Sequence, residues 1–167
     1  MSVIIHASRD FAKRLRCELS LPGEKIVQSG RLDSWSAHFV RIARKPVVLM
    51  MNDATLWSVI IPASGVTTLP KLLPIFLNQV AEVWGSHGVG FDPLNQSVVF
   101  FSRSNRSLIG SMNDAVSQMH FSYRMAREEN RPMDWDEMAT ALNRMPYGAL
   151  KYDRPLDRMA ELLKVGD

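Results

Sequence analysis

"WSAHFVRIARKPVVLMMNDATLWSVIIP", residues 35–62, decides how this chain folds. It holds three runs rich in β-branched and aromatic residues, Trp35 to Ala43, Val47 to Met51 and Leu56 to Ile61, parted by Arg-Lys-Pro and by Asn-Asp-Ala-Thr. Extended runs separated by such short polar breaks read as a three-stranded meander. Pro46 removes one backbone donor at the start of the second run, a position where a strand tolerates the loss. Strand alternation puts Trp35, Ala37, Phe39 and Arg41 on one side and His38, Val40 and Ile42 on the other. Trp35 and Phe39 near Arg41, Arg44 and Lys45 have the residue types of a base-stacking surface, yet both sides are largely apolar. The expectation is a strand buried on both faces.

Upstream of the meander, "SVIIH" reads as a short buried strand. "SRDFAKRLRCEL" reads as a helix capped by Ser8, with Phe11, Leu15 and Leu19 on one face. "LPGEK" at 21–25 is a turn. Downstream the period changes. Leu73, Phe76, Leu77, Val80, Val83 and Trp84 share one helical face, opened by Thr68 and closed by the glycines of "GSHGVG". "SVVFFS" is a fifth strand, followed by a helix reaching about Arg127. Asp134 and Glu137 have capping-box spacing, and Pro155 opens a last helix. Strands early and helices late give an α+β fold: one domain over residues 1–167, with a mostly antiparallel sheet of about five strands and helices on one face.

A chain of 167 residues, 46% hydrophobic and 22% charged, has the size and composition of one globular domain with its own core. Its longest apolar runs fall far short of the ~20 residues that span a bilayer. The start meets Arg9 and Asp10 too early for a secretory signal, and the lone Cys17 cannot form an internal disulfide, so a cytosolic address is expected. Residues 1–50 hold nine Lys and Arg against four Asp and Glu, whereas the two signs balance from Phe101 onward. That tilt makes nucleic acid a candidate partner of the first third. A homodimer through a sheet edge is open.

Catalytic templates are missing: no Gly-x-Ser-x-Gly elbow, no Walker loop, no His-Glu-x-x-His helix. His6, His38, His87 and His120 show no metal or triad spacing, and neither cofactor nor metal is expected. Ten methionines, among them Met112, Met119, Met138 and Met145 at helical spacing, read as core filling.

The candidate site is "RSNRSLIGSMND", residues 103–114. A helix start exposes orphan amides and partial positive charge, so Ser104, Asn105, Arg106 and Ser107, with Arg103, can receive a phosphate or carboxylate. Gly110 inside a helix costs about 1 kcal/mol relative to Ala, so a close approach by another element is expected there, beside Ser111. Asn113 and Asp114 lie beside Gly110 on the polar face. An enzyme using Arg103 and Arg106 to hold phosphate and Asp114 as base or metal ligand is the competing reading.

"NRSLIGSMND", preceded by "VVFFS" and by "RKPVVLMMNDATLWSVIIP", resembles a family of small bacterial, plasmid and phage proteins classed as a domain of unknown function, number 6933. The resemblance covers Val3 to Leu163 and rests chiefly on that ten-residue motif. It implies an accessory protein of a mobile element that acts on host machinery, for example an anti-CRISPR inhibitor docking on a nuclease complex, and it implies little about activity; the missing catalytic templates favour a non-enzymatic interaction protein over an enzyme. The positions it marks are Asn52, Thr55, Asn105, Arg106, Ser107, Gly110, Ser111, Asn113 and Asp114; no catalytic role comes with them.

Overall fold

The computed structural model describes residues 2–20 and 32–164. The order is β1 (Ser2–Ala7), α1 (Arg9–Leu15), β2 (Ser34–Ile42), β3 (Lys45–Asn52), β4 (Ser58–Pro62), α2 (Leu69–Gly85), β5 (Ser97–Ser102), α3 (Arg106–Glu128), α4 (Trp135–Arg144) and α5 (Pro155–Lys164). The turn expected at 21–25 lies outside the described residues.

The α+β expectation holds, with one mixed five-stranded sheet in the order β4-β3-β2-β1-β5. The meander β2-β3-β4 is antiparallel, and its ladders carry the larger share of paired residues. β1 runs parallel to both of its neighbours, β2 and β5.

Helices cover both faces, not one. On the first, α1, α2 and α5 bring Phe11, Leu15, Phe76 and Met159 onto Ile5, Trp35, Met50 and Ile61. On the second, α3 and α4 bring Leu108, Met112, Met119 and Met138 onto Val47, Leu49, Met51 and Ile60. The reason is written in β3: Val47 to Met51 are apolar at every position, so neither face of that strand can be left to water.

Local chemistry sets the ends. Ser8 caps α1 by accepting from the Phe11 amide at 3.2 Å, and the helix stops at Arg16 in the left-handed region, short of the expected Leu19. Thr68 precedes α2 in an extended conformation without a side-chain cap bond. Asn105 caps α3, accepting from the Ser107 and Leu108 amides at 3.0 and 3.2 Å. Asp134 caps α4, but Glu137 does not close the box and instead accepts from Arg131 at 3.0 Å. At the outer strand β4, Asn143 accepts from the Ser58 amide at 2.7 Å and donates to its carbonyl at 2.9 Å. One side-chain amide thus stands in for a neighbouring strand, and α4 blunts that edge.

Candidate functional site

β1 stops at Ala7, paired with Ala37, while β2 runs on to Ile42. Past the carboxyl ends of β1 and β5 this leaves a notch beside the overhanging half of β2. The two parallel strands feed helices onto opposite faces, α1 with the first core and α3 with the second. A reversal of this kind between parallel neighbours opens a crevice in which α/β sheets commonly bind ligands.

The notch is an open hollow of about 820 Å³, lined by Lys13 and Arg14 of α1 and Arg16 at its C-terminal cap, by His38 to Arg41 of β2, and by Val116 and His120 of α3, with Asp10 as the acidic member. Phe39 forms part of the wall and carries two guanidiniums, Arg14 at 5.3 Å and Arg41 at 5.7 Å from the ring centre. Arg14 donates to the Ala63 carbonyl at 3.2 Å, and among the described residues its Nε finds no acceptor. Four cations facing one carboxylate within a concave, partly apolar enclosure raise the local concentration of anions.

His38 sits where β2 passes the head of α1, its Nδ1 2.8 Å from Ser8 Oγ. Burial holds its pKa below the ordinary value; Arg103 adds to the depression and Asp10 opposes it. Arg103 follows β5, its amide donating to the Ala7 carbonyl at 3.0 Å and its side chain touching Met112 Sδ at 3.4 Å. It therefore joins the start of α3 to the notch.

The rest of the α3 head lies apart. Ser104, Asn105, Arg106 and Ser107 are exposed, as are Gly110, Asn113 and Asp114, and the Asn105 side chain already occupies two of the helix's first amides. Ser111 is buried on the inner side. No element approaches Gly110: a Cβ there would meet nothing within 4 Å, so its glycine marks open surface and not close packing. Asp114 faces the neighbourhood of Tyr147, whose phenol is pushed up first by burial and then by that carboxylate.

Asn52 and Thr55 are fully buried. Asn52 Oδ1 accepts from the amides of Ala54 and Thr55 and from Thr55 Oγ1, at 3.1, 3.0 and 3.0 Å, and Nδ2 donates to the Leu32 and Ser34 carbonyls. Both ends of this amide are used, which makes Asn52 a structural clasp between β3 and the start of β2 and leaves it nothing for a ligand.

Two polar groups escaped the sequence reading. His6 Nε2 lies 3.7 Å from Asp53 Oδ2, and Asp53 accepts from Ser34 at 2.5 Å and from the fully buried Ser36 at 2.7 Å. Ser8 with His38 forms the second pair. The signal was present in strand parity: His6 and Ser8, and Ser34, Ser36 and His38, are polar at alternate positions and so share one face of β1 and β2. Among the described residues no group of three or more His, Cys, Asp or Glu is placed to hold a metal ion, and no helix is long and apolar enough to cross a membrane.

No curated protein and no solved structure matches the chain. A family model does, over residues 4–158, from within β1 to the first turn of α5. The chain belongs to the family described as a domain of unknown function, DUF6933.

Proposed function

We propose that this protein binds a phosphate-bearing polymer, a single-stranded nucleic acid, in the notch beyond β1. The observation that carries this reading is the set Lys13, Arg14, Arg16 and Arg41 around one cavity of about 820 Å³, faced only by Asp10 among its acidic lining groups. These cations come from the basic first third of the sequence, Lys13 and Arg14 from α1, Arg16 from its C-terminal cap and Arg41 from the overhang of β2, which supports the reading. Arg103 extends the positive field toward the α3 head.

Fluorescence anisotropy of labelled single-stranded RNA and DNA, titrated at several salt concentrations, tests the reading. Engagement of three or four phosphates gives a log–log slope of about −2 to −3. Affinity that does not change with salt would contradict it.

A second reading is supported by the exposed polar surface from Ser104 to Asp114, open over Gly110: a cytosolic accessory of a phage or plasmid whose α3 head docks on a host complex, as an anti-defence inhibitor would. Retrieval of the same host proteins by wild type and by the Arg106→Ala, Asn113→Ala double variant would count against that surface.

A further inference from the structure

His38 and His120 belong to different elements, the floor strand β2 and the wall helix α3, yet both line the notch that Lys13, Arg14, Arg16 and Arg41 make basic. We propose that this notch cleaves single-stranded RNA, with His38 and His120 as a base-and-acid pair acting across one phosphodiester. The inference rests on the phosphate-binding reading above and names its substrate class and chemistry.

His38 Nδ1 is engaged by Ser8 Oγ, an oxygen that also accepts from the Phe11 amide. With the ring proton on Nδ1 and donated to that oxygen, the Nε2 lone pair is available as a base. Burial disfavours the imidazolium and Arg103 adds to that, against the opposing Asp10, so at neutral pH the ring is poised to accept a proton rather than already carrying one. His120 is exposed on α3, one turn beyond Val116, and takes the acid's role in the proposed step.

The step balances without a further reagent. His38 Nε2 takes the proton of a ribose 2′-hydroxyl, and the 2′ oxygen forms a bond to the adjacent phosphorus. The bond from phosphorus to the 5′ oxygen breaks, and that oxygen receives the proton of His120. The products are a 2′,3′-cyclic phosphate and a 5′-hydroxyl, with the two imidazoles left in exchanged protonation states that equilibration with water restores. Arg103, the cation whose charge acts on His38, offsets the charge that builds on the phosphoryl oxygens. A chain lacking the 2′-hydroxyl has no nucleophile and would be bound but left intact.

The test uses the full chain with end-labelled single-stranded RNA and its all-deoxy counterpart, in EDTA, comparing wild type with His38→Asn, His120→Asn and, as a purification control, His87→Gln, which sits beyond α2 and outside the notch. The expected result is cleavage of RNA alone, cyclic phosphate termini by mass spectrometry, a bell-shaped pH profile, and a loss of about 100-fold or more in each notch variant with the control unchanged. The charged groups acting on His38 are Arg103, which with burial lowers its pKa, and Asp10, which opposes them, and their balance sets the lower limb of that profile. His120 is exposed, so its variant separates chemistry from folding. RNA bound but uncut, or cut equally by His120→Asn, overturns the inference and leaves the binding reading standing. Failure to bind either polymer overturns both.

Discussion

His38 Nδ1 and Ser8 Oγ meet at 2.8 Å across the point where β1 ends and β2 continues. Burial and Arg103 depress the His38 pKa from its ordinary value near 6.5, more than Asp10 restores it. The unfolded chain therefore binds a proton at a pH where the folded chain does not, and stability falls as pH drops below about 6.5 through the folded pKa. Urea unfolding across mildly acidic pH will show that decline in wild type and a shallower one in His38→Asn. Equal slopes would show that His38 is not the titrating group.

Asn52 is a clasp, and its loss is a stability event. Asn52→Ala leaves the amides of Ala54 and Thr55 and the carbonyls of Leu32 and Ser34 without their partner in a buried turn. The cost is about 3 kcal/mol, read as a lower urea midpoint at unchanged slope. Asn143→Ala, which strips both backbone partners from Ser58, costs about 2 kcal/mol by the same measurement.

Much of this architecture is legible in the sequence. The three meander strands, the fifth strand and the helix faces follow from alternation and from 3.6-residue periodicity, because those periods report directly which side chains are hidden. The covering of both sheet faces has its signal in the unbroken apolar run Val47 to Met51, which outweighs the one-faced layering that the order of strands and helices suggests. The notch was not legible. It depends on β1 ending five residues before β2 does and on β5 pairing with β1 across 95 residues of sequence, facts of long-range pairing that local patterns do not carry. Composition singles out residues 103–114, Arg103 among them, whereas His38 acquires its partner Ser8 and its neighbour Arg103 only on folding.

Gly110 occupies an exposed helical position with open space where a Cβ would stand. Gly110→Ala will raise stability by about 1 kcal/mol, seen as an increase in Tm. If the α3 head is a docking surface, the added methyl group will weaken host-protein retrieval even as the fold is strengthened; opposite signs in the two assays would separate a surface kept for contact from one kept for folding.

Cys17 is half-buried, and burial with help from Glu18 pushes its thiol up to about 11. At neutral pH it is almost wholly protonated, and only thiolates react readily. Alkylation by iodoacetamide will be slower in the native chain than in urea, and a native rate equal to the denatured one would show the thiol to be freely ionised.

Charge reversal in the notch, measured beside charge reversal on the α3 head, decides where nucleic acid binds. Lys13 and Arg41 are both exposed and line the notch, while Arg106 is exposed outside it. In anisotropy titrations with single-stranded RNA at one fixed salt concentration, the Lys13→Glu, Arg41→Glu double variant should bind about tenfold or more weakly, and Arg106→Glu close to wild type. Full affinity in the double variant, with loss in Arg106→Glu, would contradict the notch as the binding site.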